Sequence, residues 1–449
     1  MSRQLDSGAL DRLARRVIER EAIVGVIGLG YVGLPLAVAI ARAGYGTVGL
    51  DVDPEKPQHV AAGRSYIGAV MSDDLKALVA AGRLSATTDF TALERCDVIV
   101  ICVPTPLTRH RTPDLSYIEA TARTIAKYLR PGQLVVLEST TYPGTTREVV
   151  QPILESCGLE AGRDFLLGYS PEREDPGNQS FETASIPKVV AGQGAPASEL
   201  VAAFYGRVVK HVVPVPSCEI AEAVKITENI FRAVNIALVN ELKMIFDAMG
   251  IDVWQVIDAA KTKPFGYMPF YPGPGLGGHC IPIDPFYLAW KSREFDVPTR
   301  FIELAGEINT QMPLYVVRRL EEALDRTAGT ALGASRVLLI GLAYKKNVAD
   351  IRESPSLKLI ELLERRGARV SYHDPYVPAV PATREHAEIG GRASVPLDAA
   401  TIADHDAVLV ATDHDDIDYP LIAAHARLIV DTRNVFARLG LSARHIVKG

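Results

Sequence analysis

Residues 22–41 read AIVGVIGLGYVGLPLAVAIA, 20 positions without a charge. A membrane-spanning helix needs ~20 apolar residues in one run. Here four glycines and a proline break that run in the middle. AIVGVIG has the length of a strand and VGLPLAVAIARAG that of a buried helix ending at Gly44, with a glycine turn between them. A strand buried on both faces and followed at once by a helix is the first unit of a parallel, doubly wound sheet. The segment lies inside the chain, with no cleavable basic leader before it, and residues 1–20 read as an amphipathic, charge-rich helix. No membrane segment is expected.

The pattern continues. GTVGLDVD, CDVIVICVPTP, QLVVLEST and FLLGYSPE read as further strands with helices between them. From Glu219 to Gly250 it changes: there is no proline and no internal glycine, and Ile220, Val224, Phe231, Val234, Leu238, Leu242, Ile245 and Phe246 leave no polar face. One long helix results, and it must be covered on several sides. A second helical run spans roughly 299–327. Alternation then returns with SRVLLIGLAYK, a helix at 355–366, ARVSYHDP, HDAVLVATDHD and RLIVDTRN, so that GLDVDP is echoed by SYHDP. The fold class is α/β: two Rossmann-like doubly wound domains joined by a central helical domain. The expected boundaries are 1–214, 215–328 and 329–449, with a homodimer or higher homo-oligomer built through the 219–250 helix.

The 449 residues are 48% hydrophobic and 23% charged, with net charge −6. Nothing in that balance favours nucleic acid. The cysteines at 96, 102, 157, 218 and 280 form no CxxC and no metal-like spacing, and their odd number suits a reducing cytoplasm.

Gly28, Gly30 and Gly33 spell GxGxxG after a strand and into a helix, and Asp51 ends the next strand. Together these form the dinucleotide fingerprint. The first glycine makes the turn, the second admits the pyrophosphate, and the third lets the helix pack close. Tyr31 and Val32 complete the turn and are expected, with the glycines, to contact the cofactor. A carboxylate at Asp51 accepts from the adenosine ribose and disfavours a 2′-phosphate, so the cofactor expected is NAD. The alternative is glycines used only for packing.

The third part has one glycine at its turn, followed by Lys345 and Lys346. These lysines, with Arg352 and Arg433, fit either the phosphates of another ligand or a solvated basic face. Lys225 and Asn229 share one face of the long helix; the lysine either reaches solvent or is buried for a reason. Cys280 lies in PGPGLGGHCIPID, residues 272–284, among four glycines and three prolines. On the residues alone it is either structural or a nucleophile, with Asp284 close by.

These features together resemble the UDP-glucose/GDP-mannose dehydrogenase family over nearly the whole chain. The marks are GLGYVGLPLA, VPTP, STTYPGTT, SPERE, KITENIFRAVNIALVNE, GPGLGGHCIPID and DIRESPS. PEREDPGN, KPFGYMPFYPGPG and GGHCIPIDPFYL are similar to the branch acting on UDP-N-acetylhexosamines, with UDP-N-acetylglucosamine the first expected substrate and the N-acetylmannosamine, N-acetylgalactosamine and glucose counterparts as alternatives.

The resemblance implies oxidation of a sugar CH2OH to a carboxylate with reduction of two NAD+. It gives Cys280 the role of nucleophile, holding thiohemiacetal and thioester. It makes Lys225 and Asn229 stabilisers of charge on the C6 oxygen, and Asp284 an orienter of water or a proton relay. Thr140 and Glu172 hold the water, with Glu172 the base. Asp51, Lys56, Thr105, Thr140 and Arg352 become cofactor contacts. Glu172, Lys225, Asn229, Tyr271, Gly275, Lys345 and Arg433 surround a UDP-sugar, so the third domain binds UDP.

Two places depart from the family. Pro176 stands where many relatives have a second glutamate, beside Glu174 and Asp175. The loop KTKPFGYMPF carries Lys261 and Lys263 where many relatives have an arginine. Two other readings remain: a two-electron hydroxyacid dehydrogenase using Lys225 with Cys280 structural, and a non-catalytic NAD-binding scaffold.

Overall fold

The structure is a computed structural model that describes residues 7–108, 111–173, 185–278, 281–381 and 387–449. The chain divides into two compact units, residues 1–228 with 286–297 and residues 229–285 with 298–449.

The first unit is built on eight strands: β1 (Ile23–Ile27), β2 (Gly46–Leu50), β3 (Leu84–Thr87), β4 (Val98–Ile101), β5 (Leu134–Leu137), β6 (Leu166–Tyr169), β7 (Lys188–Gly192) and β8 (Val212–Pro214). Their order is β3-β2-β1-β4-β5-β6-β7-β8. Strand order reverses between β1 and β4, and such a switch point is where open α/β sheets bind ligands. The pairs are parallel except β6 with β7, which run antiparallel and depart from the all-parallel expectation. β3, β7 and β8 carry too little apolar periodicity to announce themselves. Val24, Val26, Val98 and Val100 form one core with Leu34, Leu36, Ala37 and Ile40 of the helix Gly33–Arg42. Full burial of each such Val, Leu or Ile side chain is worth about 1.5–3 kcal/mol.

The 31-residue helix Cys218–Ala248 starts in the first unit and continues into the second. In the second unit, the later part of the helix Arg300–Ala328 lays Val316, Val317, Leu320 and Leu324 on a five-stranded sheet. Its strands are β9 (Arg336–Ile340), β10 (Arg369–His373), β11 (Ala407–Val410), β12 (Ile429–Asp431) and β13 (Ile446–Lys448), in the parallel order β10-β9-β11-β12-β13.

The echo between the two sheets extends to atoms. Gly28 and Gly341 both take positive φ, +92° and +83°. A Cβ at either would strike a carbonyl, Cys102 O at 2.5 Å or Thr412 O at 2.3 Å. Asp51 Oδ2 accepts from Leu29 N at 2.7 Å, and Asp374 Oδ2 accepts from Leu342 N at 2.6 Å and Ala343 N at 2.9 Å. The partners then differ. Asp51 meets Lys56 Nζ at 3.0 Å, whereas the buried Asp374 meets the buried His414 Nε2 at 3.0 Å. No helix among the described residues is long and apolar enough to cross a membrane.

Candidate active site

The glycine turn has the shape a dinucleotide needs. A Cβ at Gly33 would lie 1.8 Å from Gly28 O, so only glycine lets the helix start this close to the strand. A Cβ at Gly30 would meet nothing within 4 Å, which leaves open space in front of the backbone. Tyr31 is exposed, and Val32 precedes the helix without a side-chain cap. The Asp51 carboxylate also accepts from Asp53 N at 3.0 Å, which fixes its plane. Tyr66, which the sequence reading did not single out, donates to Leu29 O at 2.7 Å and braces the turn. Thr105 is buried, and its carbonyl accepts from Tyr287 of the same unit. These residues fit a dinucleotide.

The loop that carries Thr140 is tied to the first turns of the long helix by Glu222, another residue not expected. Glu222 accepts from Gly144 N at 2.6 Å, Thr146 N at 2.9 Å and Thr146 Oγ1 at 2.6 Å. Burial pushes its carboxyl up to about 7, against the pull of those hydrogen bonds. Thr140 is half-buried, and the buried Thr141 Oγ1 beside it has no hydrogen-bond partner among the described residues. Glu172 follows β6 and lies 3.6 Å from Lys188 Nζ, which in turn holds the buried Glu138 at 2.9 Å.

Lys225 is 5% exposed, so it does not reach solvent from the helix end. Among the described residues its ammonium has no hydrogen bond or ion pair, although a buried amine is costly unless paired. Asn229, one helical turn on, is fully buried and donates to Asp284, also buried. Arg232, not anticipated, donates to the Asn229 carbonyl.

The glycine loop packs against its own unit. A Cβ at Gly273 would lie 2.6 Å from Arg433 Nη1, one at Gly275 3.1 Å from Pro355 Cβ, and one at Gly277 2.5 Å from Tyr344 Cβ. Gly278 N donates to Arg352 O at 3.0 Å. At these positions the glycines admit other parts of the chain. Gly273 N also donates to Asn240 Oδ1 at 3.1 Å, pinning the loop to the long helix. Tyr271 stacks on Trp254 at 5.3 Å and donates to Asp258 at 3.1 Å. Lys345 is half-buried. Arg433 Nε donates to Ala411 O at 2.7 Å, and Arg352 pairs with Asp350 at 2.6 Å. Arg352 belongs to the second unit, whereas the other expected cofactor contacts belong to the first.

Cys280, Glu174, Asp175 and Pro176 lie outside the described residues. Cys96, Cys102 and Cys218 are buried, and burial pushes the Cys96 thiol up to about 12, as suits core residues rather than nucleophiles.

Comparison with known proteins places these sites in a family. The NAD binding domain of the UDP-glucose/GDP-mannose dehydrogenase family matches residues 22–209, its central domain 219–311, and its UDP binding domain 338–438. A UDP-N-acetyl-D-glucosamine 6-dehydrogenase of Pseudomonas aeruginosa is 37% identical over 393 residues, 87% of this chain and 90% of its own. The structure of UDP-D-ManNAc dehydrogenase from Pyrococcus horikoshii superposes with a TM-score of 0.83 at 33% identity, covering 92% of this chain and 96% of that one. A UDP-glucose dehydrogenase from Pyrobaculum islandicum gives a TM-score of 0.82 at 29% identity, covering 95% and 97%. With an NAD fingerprint at Gly28, a UDP-binding part after residue 338 and a helical region between them, the chain belongs to the UDP-glucose/GDP-mannose dehydrogenase family and is an NAD-dependent nucleotide-sugar dehydrogenase.

Proposed function

We propose that the chain oxidises C6 of UDP-N-acetylglucosamine from alcohol to carboxylate in two steps on one active site, with Cys280 holding the carbon between them. The observation that carries this reading is the buried Lys225, without a partner among the described residues, one turn from an Asn229 hydrogen-bonded to Asp284. An ammonium and an amide donor on one helix face suit the negative charge that develops on the C6 oxygen.

The Gly28 turn with Asp51, Lys56, Thr105 and Thr140 would hold NAD+, which would supply the hydride acceptor for each oxidation, and Arg352 is proposed as a further cofactor contact. Cys280 adds to the C6 aldehyde as a thiohemiacetal, and the second oxidation leaves a thioester. Asp284 takes up and returns the protons of this exchange. Glu172 and Thr140 hold the water that releases the acid, with Glu172 as base. Tyr271, Gly275, Lys345 and Arg433 bind the nucleotide part. Residues 1–214, 215–328 and 329–449 serve as cofactor, central and UDP domains. A homodimer forms through the long helix, which leaves Phe231, Leu238 and Ile245 exposed at seven-residue spacing in the single chain.

The N-acetylglucosamine reading is supported by the Pseudomonas aeruginosa relative. The relatives named for ManNAc and glucose supply the competing substrates. The test measures NADH released per sugar across UDP-glucose, UDP-GlcNAc, UDP-GalNAc and UDP-ManNAc. Two NADH per UDP-GlcNAc are expected, and Cys280→Ser stops the full oxidation. Activity on UDP-glucose alone overturns the substrate. One NADH per sugar, with Cys280→Ala fully active, overturns the covalent mechanism.

A further inference from the structure

Glu172 does not stand alone. Lys188 Nζ lies 3.6 Å from its Oε2 and 2.9 Å from Glu138 Oε2. The Lys188 side chain is 8% exposed, Glu138 0% and Glu172 12%. The second Glu138 oxygen accepts from the buried Tyr205 hydroxyl, and the Lys188 ammonium sits 5.1 Å from the centre of the Tyr205 ring. Glu138 directly follows β5, Glu172 follows β6, and Lys188 begins β7, so three neighbouring strands fix the three charges. From the other side Arg173 donates to Pro187 O at 2.6 Å and binds Glu228 of the long helix at 2.5 Å.

A buried ion pair needs one carboxylate for one ammonium. Here two carboxylates share Lys188, and the second is the one nearer solvent. Burial opposes charge on Lys188, but Glu138 and Glu172 together hold its ammonium above the usual lysine range. A buried pair of this kind contributes little net stability compared with apolar residues of the same size. Its arrangement has a different use.

We propose that Lys188, anchored by Glu138 and Tyr205, is a positioning residue for Glu172 in acyl release. The inference rests on the reading of Glu172 as the hydrolytic base. In that step the water oxygen bonds to the thioester carbon and one water proton passes to the Glu172 carboxylate. The carbon–sulfur bond breaks, and Cys280 departs as thiolate. Lys188 fixes which way the carboxylate faces.

The experiment uses the full chain with NAD+ and UDP-GlcNAc. Rapid quench and intact-protein mass follow acyl groups on Cys280, while NADH absorbance follows the oxidations. In Lys188→Met the first NADH burst is expected to stay within about threefold, because that step does not use Glu172. Steady-state turnover falls about tenfold or more, the size typical of a lost proton-transfer arrangement. Acyl-enzyme accumulates. Lys188→Arg restores release. The double variant Glu138→Gln/Lys188→Met removes both charges and keeps the test open if the single variant does not fold. Glu172→Gln is the control. If Glu172→Gln accumulates acyl-enzyme while folded Lys188 variants keep wild-type release, the positioning role is overturned and the base reading stands. If burst and release fall together in the Lys188 variants and arginine restores neither, Lys188 is structural and the proposal fails. If Glu172→Gln accumulates nothing, the base reading fails and takes the proposal with it.

Discussion

At the scale of the residue, charge environment separates catalytic candidates from scaffolding. Lys225 is buried with no partner among the described residues, so replacing it with an apolar side chain of similar length relieves a desolvation cost. Lys225→Met should therefore melt no lower than the wild type while losing about 100-fold or more in kcat, a fold-loss typical of a missing oxyanion donor. Calorimetry and NADH release on the same preparation check this. Glu222 has the opposite signature. Its folded carboxyl titrates near 7, raised from 4.5 chiefly by burial. The folded state therefore holds the proton more tightly than the unfolded chain does. Stability linked to Glu222 is fully present below about pH 4.5 and is lost as pH rises through 7, by on the order of 3 kcal/mol. Denaturant melts between pH 5 and 8 should show the wild type declining relative to Glu222→Gln, whose carboxamide does not titrate. Parallel curves would refute it. Lys225 and Asn229 were legible as a pair from helical spacing. The Glu222 clamp was not, because its partners lie in a loop 76 positions away.

Elements show where local rules suffice. The strand, turn and helix at residues 22–44 are contiguous, so the GxGxxG spacing alone specifies them. Gly28 must hold φ +92° and leaves no room for a Cβ beside Cys102 O. Gly28→Ala should weaken NAD+ binding at least tenfold and lower the melting point, since a non-glycine residue at left-handed φ costs about 1–2 kcal/mol before any clash. Equilibrium titration with NAD+ measures it. The long helix was legible from its composition and lack of breakers. Its exposed Phe231, Leu238 and Ile245 are the face proposed for the homodimer. Leu238→Glu should shift the protein to monomer in analytical ultracentrifugation, and an unchanged sedimentation profile would remove this helix from the interface. β3, β7, β8 and β13 were missed because each breaks its apolar run within three residues.

For the whole molecule, the duplicated sheets with different pairing at their turns predict two separable nucleotide sites. NAD+ and UDP should each raise the melting point of the full chain, by about 2.7 kcal/mol of stability at 100 times Kd. Gly28→Ala should reduce only the NAD+ shift and Arg433→Ala only the UDP shift; cross-talk between the two variants would contradict separate sites. The sequence by itself determined the order of domains, the dinucleotide turn with Asp51, the long helix and the family. Each is written in contiguous residues, where sterics, hydrophobic period and glycine spacing act over one or two elements. The tertiary structure decided which charges meet. Lys188 finds Glu138 across 50 positions and Asn229 finds Asp284 across 55. It also decided what the glycine loop packs on, since its glycines clear space for Arg433, Pro355 and Tyr344 of the chain itself. Burial and the pairing of buried charges depend on what the remainder of the chain brings alongside, and no local pattern contains that.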